Sequence, residues 1–332
     1  MSQPLAKDIV GVGSPIIDMN TFVEDRFLET IDGEKGGMEL VDKSVIDALL
    51  NAIEDRPVRK PGGASANTIF ALARLGSPTS FLGMIGGDED ADFYRNAYTA
   101  VGGNSRLFKT AADAPTARCL NLITPDSERT MRTDLGAAAK LNPRVITADD
   151  FKDARHVHIE GYLLFNRELM THVLQTAKEA GCTISYDLGS FEVVRSAMDI
   201  LPQLLRDYID MVFGNEEEVA EFCNHDDPHL AVRELGKLCR IAAVKRGRDG
   251  ALICADDAVY NVQAVPVANP IDTTGAGDYW GAGFLYGYYK GYDMERCGRM
   301  ASIVSSEVVR HIGSALPEDS WSRIKEEINQ IQ

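Results

Sequence analysis

The chain has 332 residues, a hydrophobic content of 45%, a charged content of 25% and a formal net charge of −16. This length suits one large α/β domain or two modest ones, and the composition is ordinary for a globular protein. So negative a charge argues against general nucleic-acid binding and against docking on anionic membranes. It still permits local phosphate binding, because backbone N–H groups and a metal ion can offset the field.

The cysteines and the N-terminal segment indicate a cytoplasmic protein. Six cysteines are scattered singly without a C-x-x-C pair, which is typical of reduced thiols and disfavours structural disulfides or a zinc site. Segment 1–8 lacks the apolar core of a signal peptide. No apolar run approaches the length that spans a bilayer. We therefore expect a cytoplasmic location, with neither a membrane nor a nucleic acid as partner.

Apolar runs bounded by turn residues alternate with segments of helical period along most of the chain. The first half predicts these elements in chain order: a strand at 9–17, helices at 45–53 and 66–75, and strands at 80–85 and 119–124. The second half predicts these: a strand at 156–164, a helix at 169–177, a strand at 183–187, a helix at 193–205, a strand at 211–213, helices from 216 and at 231–238, a strand at 241–244, a hairpin at 251–254 and 259–265, and helices at 278–290, 301–310 and 321–331.

Strands that alternate with helices predict a mostly parallel sheet covered on both faces, with ligands bound at the carboxyl ends of its strands. Two segments, 21–42 and 107–133, fit the alternation poorly. We expect a small β lid over the site, formed by the segments near 15–42 and 107–133. No internal repeat or interdomain linker is evident, so a single domain over 1–332 is expected.

The stretch 272–278, Asp-Thr-Thr-Gly-Ala-Gly-Asp, combines flexible backbone, a predicted helix start and a carboxylate. Gly275 and Gly277 lack side chains, so their N–H groups can approach an anion closely at the positive end of the helix. A carboxylate beside a bound phosphate needs a use for that proximity. The obvious use for Asp278 is to take a proton from a hydroxyl that attacks the phosphate. The structural alternative is a Gly-rich turn before a closely packed helix.

A second Gly-rich site covers 60–67, Lys-Pro-Gly-Gly-Ala-Ser-Ala-Asn. Gly62 and Gly63 let a ligand lie against the backbone, and Asn67 offers a donor and an acceptor to hydroxyl groups. The structural alternative here is a loop that caps a helix. Asp18 follows the first predicted strand, where it is either a solvated loop carboxylate or an acceptor for the hydroxyls of a polyol.

Two further polar stretches follow predicted strands. Asn215 and Glu218 lie three residues apart on one helix face. They can cap an acidic helix start, lie near a Mg²⁺ ion or its waters, or do both. The basic segment 245–250 is a plain turn or a nucleotide-binding loop. We favour the second because cations such as Lys245 stand out in so acidic a chain.

Other chemistries have little support in the sequence. His156 and His158 share a strand face, and His225 and His229 flank a polar loop. Core or rim histidines are expected at both places rather than metal ligands. The first strand carries an incomplete G-x-G-x-x-G fingerprint and no Walker A sequence occurs, which disfavours a nicotinamide dehydrogenase and a P-loop ATPase.

Taken together, the two Gly-rich motifs resemble the two signatures of the ribokinase (PfkB) family of carbohydrate kinases. The N-x-x-E element at 215–218 and the G-x-x-G loop at 247–250 lie between them in the family's order, and the resemblance covers nearly the whole chain. Within the family the chain is most similar to the adenosine-kinase-like branch. The stretches that carry this similarity are 13–18, 124–131, 160–164 and 213–218.

The resemblance implies a ribokinase-like three-layer α/β/α sandwich with a mostly parallel central sheet and a small β lid. It also implies transfer of the ATP γ-phosphate to a primary hydroxyl of a sugar or nucleoside, with Mg²⁺ and, in some members, K⁺. The residues it assigns to the site are these: Asp278 as catalytic base, the backbone of Gly275, Ala276 and Gly277 as anion hole, Asp18, Gly62, Gly63 and Asn67 for the acceptor, Asn215, Lys245, Gly247 and Gly250 for ATP, Glu218 for Mg²⁺ through water, and Asp272 and Thr274 for a monovalent cation.

We expect the acceptor to bind against Asp18, Gly63 and Asn67 and the lid to close and exclude water. Asp278 then accepts the hydroxyl proton while the oxygen attacks the γ-phosphate, and N–H dipoles and Mg²⁺ meet the charge. A carboxylate is a weak base at its ordinary pKa, so most of the rate must come from positioning and electrostatics. The alternative function is a non-catalytic sugar or nucleoside sensor on the same fold, which the presence of Asp278 disfavours. We expect a monomer or a homodimer.

Overall fold

The computed structural model describes residues 7–126 and 128–331. Residues 1–6 of the N-terminal segment and Ser127 of the stretch 124–131 lie outside the described residues. The described strands are β1 (Asp8–Val12), β2 (Ile16–Phe22), β3 (Met38–Leu40), β4 (Val58–Gly62), β5 (Thr79–Leu82), β6 (Met84–Ile85), β7 (Lys109–Thr110), β8 (Ala117–Ile123), β9 (Arg129–Asp134), β10 (Ala154–Glu160), β11 (Thr183–Asp187), β12 (Met211–Asn215), β13 (Ile241–Lys245), β14 (Ala251–Ala255) and β15 (Ala258–Val262).

The described helices are α1 (Asp25–Leu28), α2 (Lys43–Ala52), α3 (Ala64–Arg74), α4 (Glu89–Ala100), α5 (Arg167–Glu179), α6 (Phe191–Ala197), α7 (Leu201–Asp207), α8 (Glu216–Cys223), α9 (Pro228–Gly236), α10 (Ala276–Lys290), α11 (Met294–Val308) and α12 (Glu318–Ile331). None of these helices is long and apolar enough to cross a membrane.

The central sheet has eight strands in the order β15-β14-β13-β12-β11-β10-β1-β5. The strands from β13 to β5 are parallel, and β14 and β15 extend one edge as the predicted antiparallel hairpin. One face packs on α3, α10, α11 and α12, and the other packs on α5 to α9. Because helices cover both faces, both alternating sets of side chains are buried, as the apolar runs of β12 and β13 predict. The predicted three-layer α/β/α sandwich is confirmed.

A second sheet has five strands in the order β3-β9-β8-β2-β4 and is hereafter the lid sheet. The side chains of Ile17, Met19, Leu120 and Leu122 from one of its faces share an apolar cluster with Ile46 and Leu49 of α2. The opposite face carries Asp18. The predicted lid segments supply β2, β3, β8 and β9. The edge strand β4 was not predicted, because it is short and contains a proline, which only edge positions tolerate well.

Several predicted boundaries were wrong for identifiable reasons. The strand predicted at 9–17 is two strands, since the chain leaves the central sheet at Gly13 and enters the lid sheet at Ile16. The helix predicted at 193–205 is α6 and α7, and α7 carries a proline in its first turn. The lid segment predicted from 107 is wrong at its start, because β7 pairs with β6 in a separate two-stranded sheet.

Candidate active site

The two Gly-rich motifs meet where α3 and α10 begin. Asn67 Nδ2 donates a hydrogen bond to Asp278 Oδ2 at 2.8 Å, and Thr68 Oγ1 donates to the Asp278 carbonyl at 2.9 Å. Ser314 Oγ donates to Asn67 Oδ1 at 2.9 Å, an arrangement in which the amide nitrogen of Asn67 faces the carboxylate. Two residues 211 positions apart in sequence therefore lie in direct contact at the site.

The N-terminus of α10 is open to a ligand. Its N-cap residue is Gly275, which has a left-handed conformation (φ 77°) and no capping side chain. In the described chain, the N–H groups of Gly275, Gly277 and Asp278 have no hydrogen-bond partner. The Ala276 N–H, which the resemblance assigns to the anion hole, donates instead to the Thr273 carbonyl at 3.1 Å. Three unpaired donors at the positive end of a helix suit a phosphate oxygen.

Three carboxylates surround a single buried ammonium group beside this N-terminus. Lys245 Nζ lies 2.7 Å from Asp187 Oδ2, and both side chains are only 12% exposed. Burial, reinforced by Asp187, raises the pKa of Asp278 to about 8, although Asn67 and Lys245 oppose the shift. Burial also raises the pKa of Glu218 to about 7, and Asp187 adds to it while Lys245 opposes it. The carboxylates thus outnumber the cation, and the region can accommodate a further positive charge.

This donor set fits Mg²⁺, which prefers carboxylate and water oxygens and retains several of its waters. Glu218 and Asp187 are the residues that would hold such an ion, through water. A bound cation favours the ionised form of nearby carboxyls, so the raised pKa values of Asp278 and Glu218 are consistent with the predicted cofactor.

The N-x-x-E element forms a complete capping box at the start of α8. Asn215 N–H and Asn215 Nδ2 donate to the two Glu218 carboxylate oxygens, each at 2.9 Å. The Glu218 N–H donates to Asn215 Oδ1 at 2.8 Å. The structural alternative thus holds here. A carboxylate oxygen that accepts one such bond can still accept another from water, so a role for Asn215 and Glu218 with ATP and Mg²⁺ stays a prediction.

The lid sheet places Asp18 beside the glycines of the first motif. A Cβ atom added at Gly62 would lie only 2.3 Å from Asp18 Oδ2, so this close approach requires glycine. Gly63 has a φ of 107° and begins α3 next to Asn67. Burial raises the pKa of Asp18 to about 6, and nearby Arg129 is the main opposing influence. Asp18, Gly62, Gly63 and Asn67 thus lie along one side of the site.

The two residues expected to bind a monovalent cation contact an arginine of the lid sheet, and their role in cation binding stays a prediction. Arg129 Nη1 lies 3.5 Å from Asp272 Oδ2 and donates a hydrogen bond to Thr274 Oγ1. Asp272 also accepts from the N–H groups of Thr274 at 2.9 Å and Gly313 at 2.8 Å. The Arg129 guanidinium therefore supplies the positive charge at this loop. Arg129 was not predicted as a site residue, although it lies in the stretch 124–131.

The basic segment divides into a site residue and a turn. Lys245 points at the start of α10, since a Cβ added at Gly277 would lie 2.9 Å from its Nζ atom. Gly247 and Gly250 have φ values of 52° and 85°, and a Cβ at Gly250 would lie 2.0 Å from the Val262 carbonyl oxygen. The turn alone explains both glycines, and their contact with ATP stays a prediction.

Two buried carboxylates of the site were missed. Asp187 is the last residue of β11 and pairs with Lys245. Glu160 is the last residue of β10 and accepts hydrogen bonds from the N–H groups of Ser14 at 2.9 Å and Ser65 at 3.1 Å. Glu160 thereby ties the passage into the lid sheet to the start of α3. An acid that ends a buried strand is the signal that could have found both.

Known proteins share this architecture. A nucleoside kinase of Methanothermobacter thermautotrophicus is 31% identical over 255 residues, which cover 76% of this chain and 79% of that protein. The structure of a probable sugar kinase from Rhizobium etli matches with a TM-score of 0.87 and 30% identity, over 98% of this chain and 99% of that one. The adenosine kinase of Sinorhizobium meliloti matches with a TM-score of 0.86 and 27% identity, over 98% of this chain and 100% of that one.

The family model for pfkB family carbohydrate kinases matches residues 38–321, which include both Gly-rich motifs, the N-x-x-E element and most of the lid sheet. The match covers most of the chain, and the nucleoside kinase and sugar kinase relatives agree with it. The protein belongs to the pfkB family of carbohydrate kinases and, with its relatives, is a kinase of the sugar and nucleoside type.

Proposed function

We propose that this kinase transfers the γ-phosphoryl group of ATP to a primary hydroxyl of a nucleoside. The observation that carries the transfer is the buried Asp278 carboxyl, held by Asn67 beside the unpaired N–H groups of α10. The acid can take a proton from a hydroxyl while the N–H groups and the helix end attract the phosphoryl oxygens.

The position of Asp278 between two sets of groups supports its role as the base. Asp18, Gly62, Gly63 and Asn67 lie on the lid side, and Lys245, Asp187 and Glu218 lie on the sheet side. In the step we propose, the acceptor oxygen forms a bond to the γ-phosphorus and the bond from that phosphorus to the leaving ADP oxygen breaks. The hydroxyl proton moves to Asp278. When bound, Mg²⁺ would offset the charge of the phosphates.

The raised pKa makes Asp278 a stronger base than an ordinary aspartate. A base works best when its pKa is near the working pH, and burial raises the pKa of Asp278 to about 8. The expectation that this carboxylate is weak at its ordinary pKa therefore underestimates it. Positioning by Asn67 and the dipole of α10 supply the remaining stabilisation.

The face of the lid sheet that bears Asp18 favours a nucleoside over a simple sugar. Asp18 pairs across the strands with Cys119, Cys119 pairs with Thr133, and Thr133 pairs with Leu40. Cross-strand partners share a face, so Leu40 lies on the face of Asp18. Leu40 is 63% exposed and Met38, two residues earlier, is 49% exposed. Exposed apolar side chains on the face that bears the hydroxyl-binding carboxylate, three strands or about 14 Å away from it, suit a ligand with an aromatic base.

Acceptor-dependent ADP formation tests the proposal with a panel of nucleosides, ribose, fructose and ketodeoxy sugar acids. We expect turnover with nucleosides. Leu40→Ala should lower their kcat/KM by about 10- to 100-fold, the value of one buried leucine side chain. Leu230→Ala on α9, where the leucine is 53% exposed, is the matched control and should change nothing.

The outcomes separate the parts of the proposal. Turnover of sugars but not nucleosides would contradict the acceptor class and leave phosphoryl transfer standing. Nucleoside binding without ADP formation, detected as a rise in melting temperature, would favour the non-catalytic sensor.

A further inference from the structure

The junction of α8 and α9 brings together a thiol, an imidazole and a carboxylate. Cys223 ends α8, and Asn224 follows it in a left-handed conformation (φ 57°) that turns the chain toward α9. One ligand atom from each of Cys223, His225 and Glu234 lies within 4.8 Å of the other two. The cluster lies at the opposite end of α8 from Asn215 and is therefore separate from the candidate active site.

One distance within this cluster matches the separation of two ligands on a single metal ion. His225 Nε2 lies 3.4 Å from Glu234 Oε2. Two ligands of a tetrahedral zinc ion at about 2.0–2.1 Å are separated by about 3.4 Å. Nevertheless, His225 Nε2 is buried and makes no hydrogen bond to any of the residues that the structure describes. An unpaired buried nitrogen calls for an explanation, and a bound ion shared with the facing oxygen supplies one.

The cluster is short of positive charge. Within the described chain, no lysine or arginine forms a salt bridge with Glu234. A divalent cation would compensate the carboxylate and displace the thiol proton.

We propose that Cys223, His225 and Glu234 bind one divalent cation of the zinc class, with water as the fourth ligand. Thiolate and imidazole ligands select Zn²⁺ or Co²⁺ over Mg²⁺ and Ca²⁺. The thiol releases its proton to solvent on binding. His225 Nδ1 accepts a long hydrogen bond of 3.3 Å from the Asp227 N–H. Because Nδ1 is the acceptor here, the ring proton is on Nε2; coordination through Nε2 moves it to Nδ1, breaks the bond from the Asp227 N–H and leaves both N–H groups to bond to water.

His225 is grouped with Cys223 and Glu234 rather than with His229, its neighbour in sequence. His229 lies in the first turn of α9, where it is exposed and does not belong to the cluster. The sequence did not predict a metal here because Glu234 is a full helix away from Cys223. The turn at Asn224 is what brings α9 back against the end of α8.

Co²⁺ titration of the metal-free full-length protein under anaerobic conditions tests the proposal. We expect one equivalent to produce a thiolate-to-cobalt charge-transfer band and the visible bands of four-coordinate Co²⁺, and one equivalent of Zn²⁺ to remove them. Cys223→Ser should abolish the charge-transfer band. Losing a group that only hydrogen-bonds to a metal ligand weakens metal binding by up to about 100-fold. Glu234 is proposed as a ligand itself, so Glu234→Gln should weaken Co²⁺ binding by at least that factor.

His229→Gln is the matched control, because it removes a neighbouring imidazole outside the cluster and should leave Co²⁺ binding unchanged. Circular dichroism checks that each variant is folded. If Cys223→Ser does not fold, the loss of Co²⁺ binding in Glu234→Gln still tests the proposal. Absence of the charge-transfer band in the parent protein, or its persistence in Cys223→Ser, would overturn the proposal. An equal loss of binding in His229→Gln would do the same.

Discussion

The helices α8 and α10 both start at the carboxyl edge of the central sheet, and each has an acid three residues after its N-cap. The way in which their N-terminal N–H groups are capped differs. At α8, the Asn215 side chain caps the helix and Glu218 reaches back to the Asn215 backbone. At α10, Gly275 has no side chain, and the Asp278 carboxylate accepts a hydrogen bond from Asn67 of α3, which is far away in sequence. At α8, side chains of the helix itself make the hydrogen bonds of the capping box, whereas at α10 backbone N–H donors remain free for a ligand. The chemistry therefore belongs at α10.

The largest effect is expected at the acid of α10. Asp278→Asn keeps the shape and removes the proton acceptor, so kcat should fall by about 10²- to 10⁴-fold, the usual contribution of a general base. Asp293→Asn, at the N-cap of α11, is the matched control because asparagine caps a helix as well as aspartate does. Steady-state kinetics with the preferred acceptor measures both, and a near-parental rate in Asp278→Asn would exclude the assigned role.

A smaller loss is expected for the residue that positions this acid. Asn67→Ala removes the 2.8 Å hydrogen bond to Asp278, and kcat should fall by about 10- to 100-fold, the value of a hydrogen bond to a charged group. Since the Asn67 bond lowers the pKa of Asp278, the pH profile of the variant should move to higher pH. Loss of activity with no movement of the profile would indicate that Asn67 acts on the acceptor alone.

The cap of α8 should contribute stability. Asn215→Ala removes the side chain that bonds to the Glu218 N–H, and the free energy of unfolding should fall by about 0.5–2 kcal/mol. Urea denaturation measures this change. A large drop in kcat without loss of stability would show that Asn215 contacts the nucleotide. The N-terminus of α8 would then take part in catalysis, as that of α10 is proposed to do.

The smallest effect is expected from monovalent cations. The guanidinium of Arg129 already contacts Asp272 and Thr274. Replacing K⁺ with Na⁺ should therefore change kcat/KM by less than about twofold. Initial rates at constant ionic strength decide the point, and a strong requirement for K⁺ would restore the predicted cation site.

The site residues that belong to local sequence motifs were easier to predict than those whose partners lie far away in sequence. Asp278 and Asn67 belong to short motifs in which glycine, helix start and polar group are adjacent in sequence, and the structure brings both together. Asp187 and Arg129 were missed because their roles depend on partners far away in sequence, Lys245 and Asp272. Local pattern can predict a residue's chemistry, whereas such pairing comes only from the fold.

The lid sheet shows the same limit. Its five strands come from four separate parts of the chain, and neighbouring strands other than β8 and β9 pair across long stretches of sequence. The strand β4 reads as a loop because Pro61 and Gly62 interrupt it. The central sheet was predicted well because its strands are continuous apolar runs separated by amphipathic helices.

The pH dependence of kcat/KM tests most directly the claim that a buried Asp278 acts as the base. A base works in its deprotonated form, and kcat/KM reports the free enzyme, whose Asp278 has a pKa of about 8. The rate should rise about tenfold per pH unit below that value and level off above it. A profile that is flat from about pH 6 to 9 would contradict the account, because an ordinary aspartate is fully ionised throughout that range.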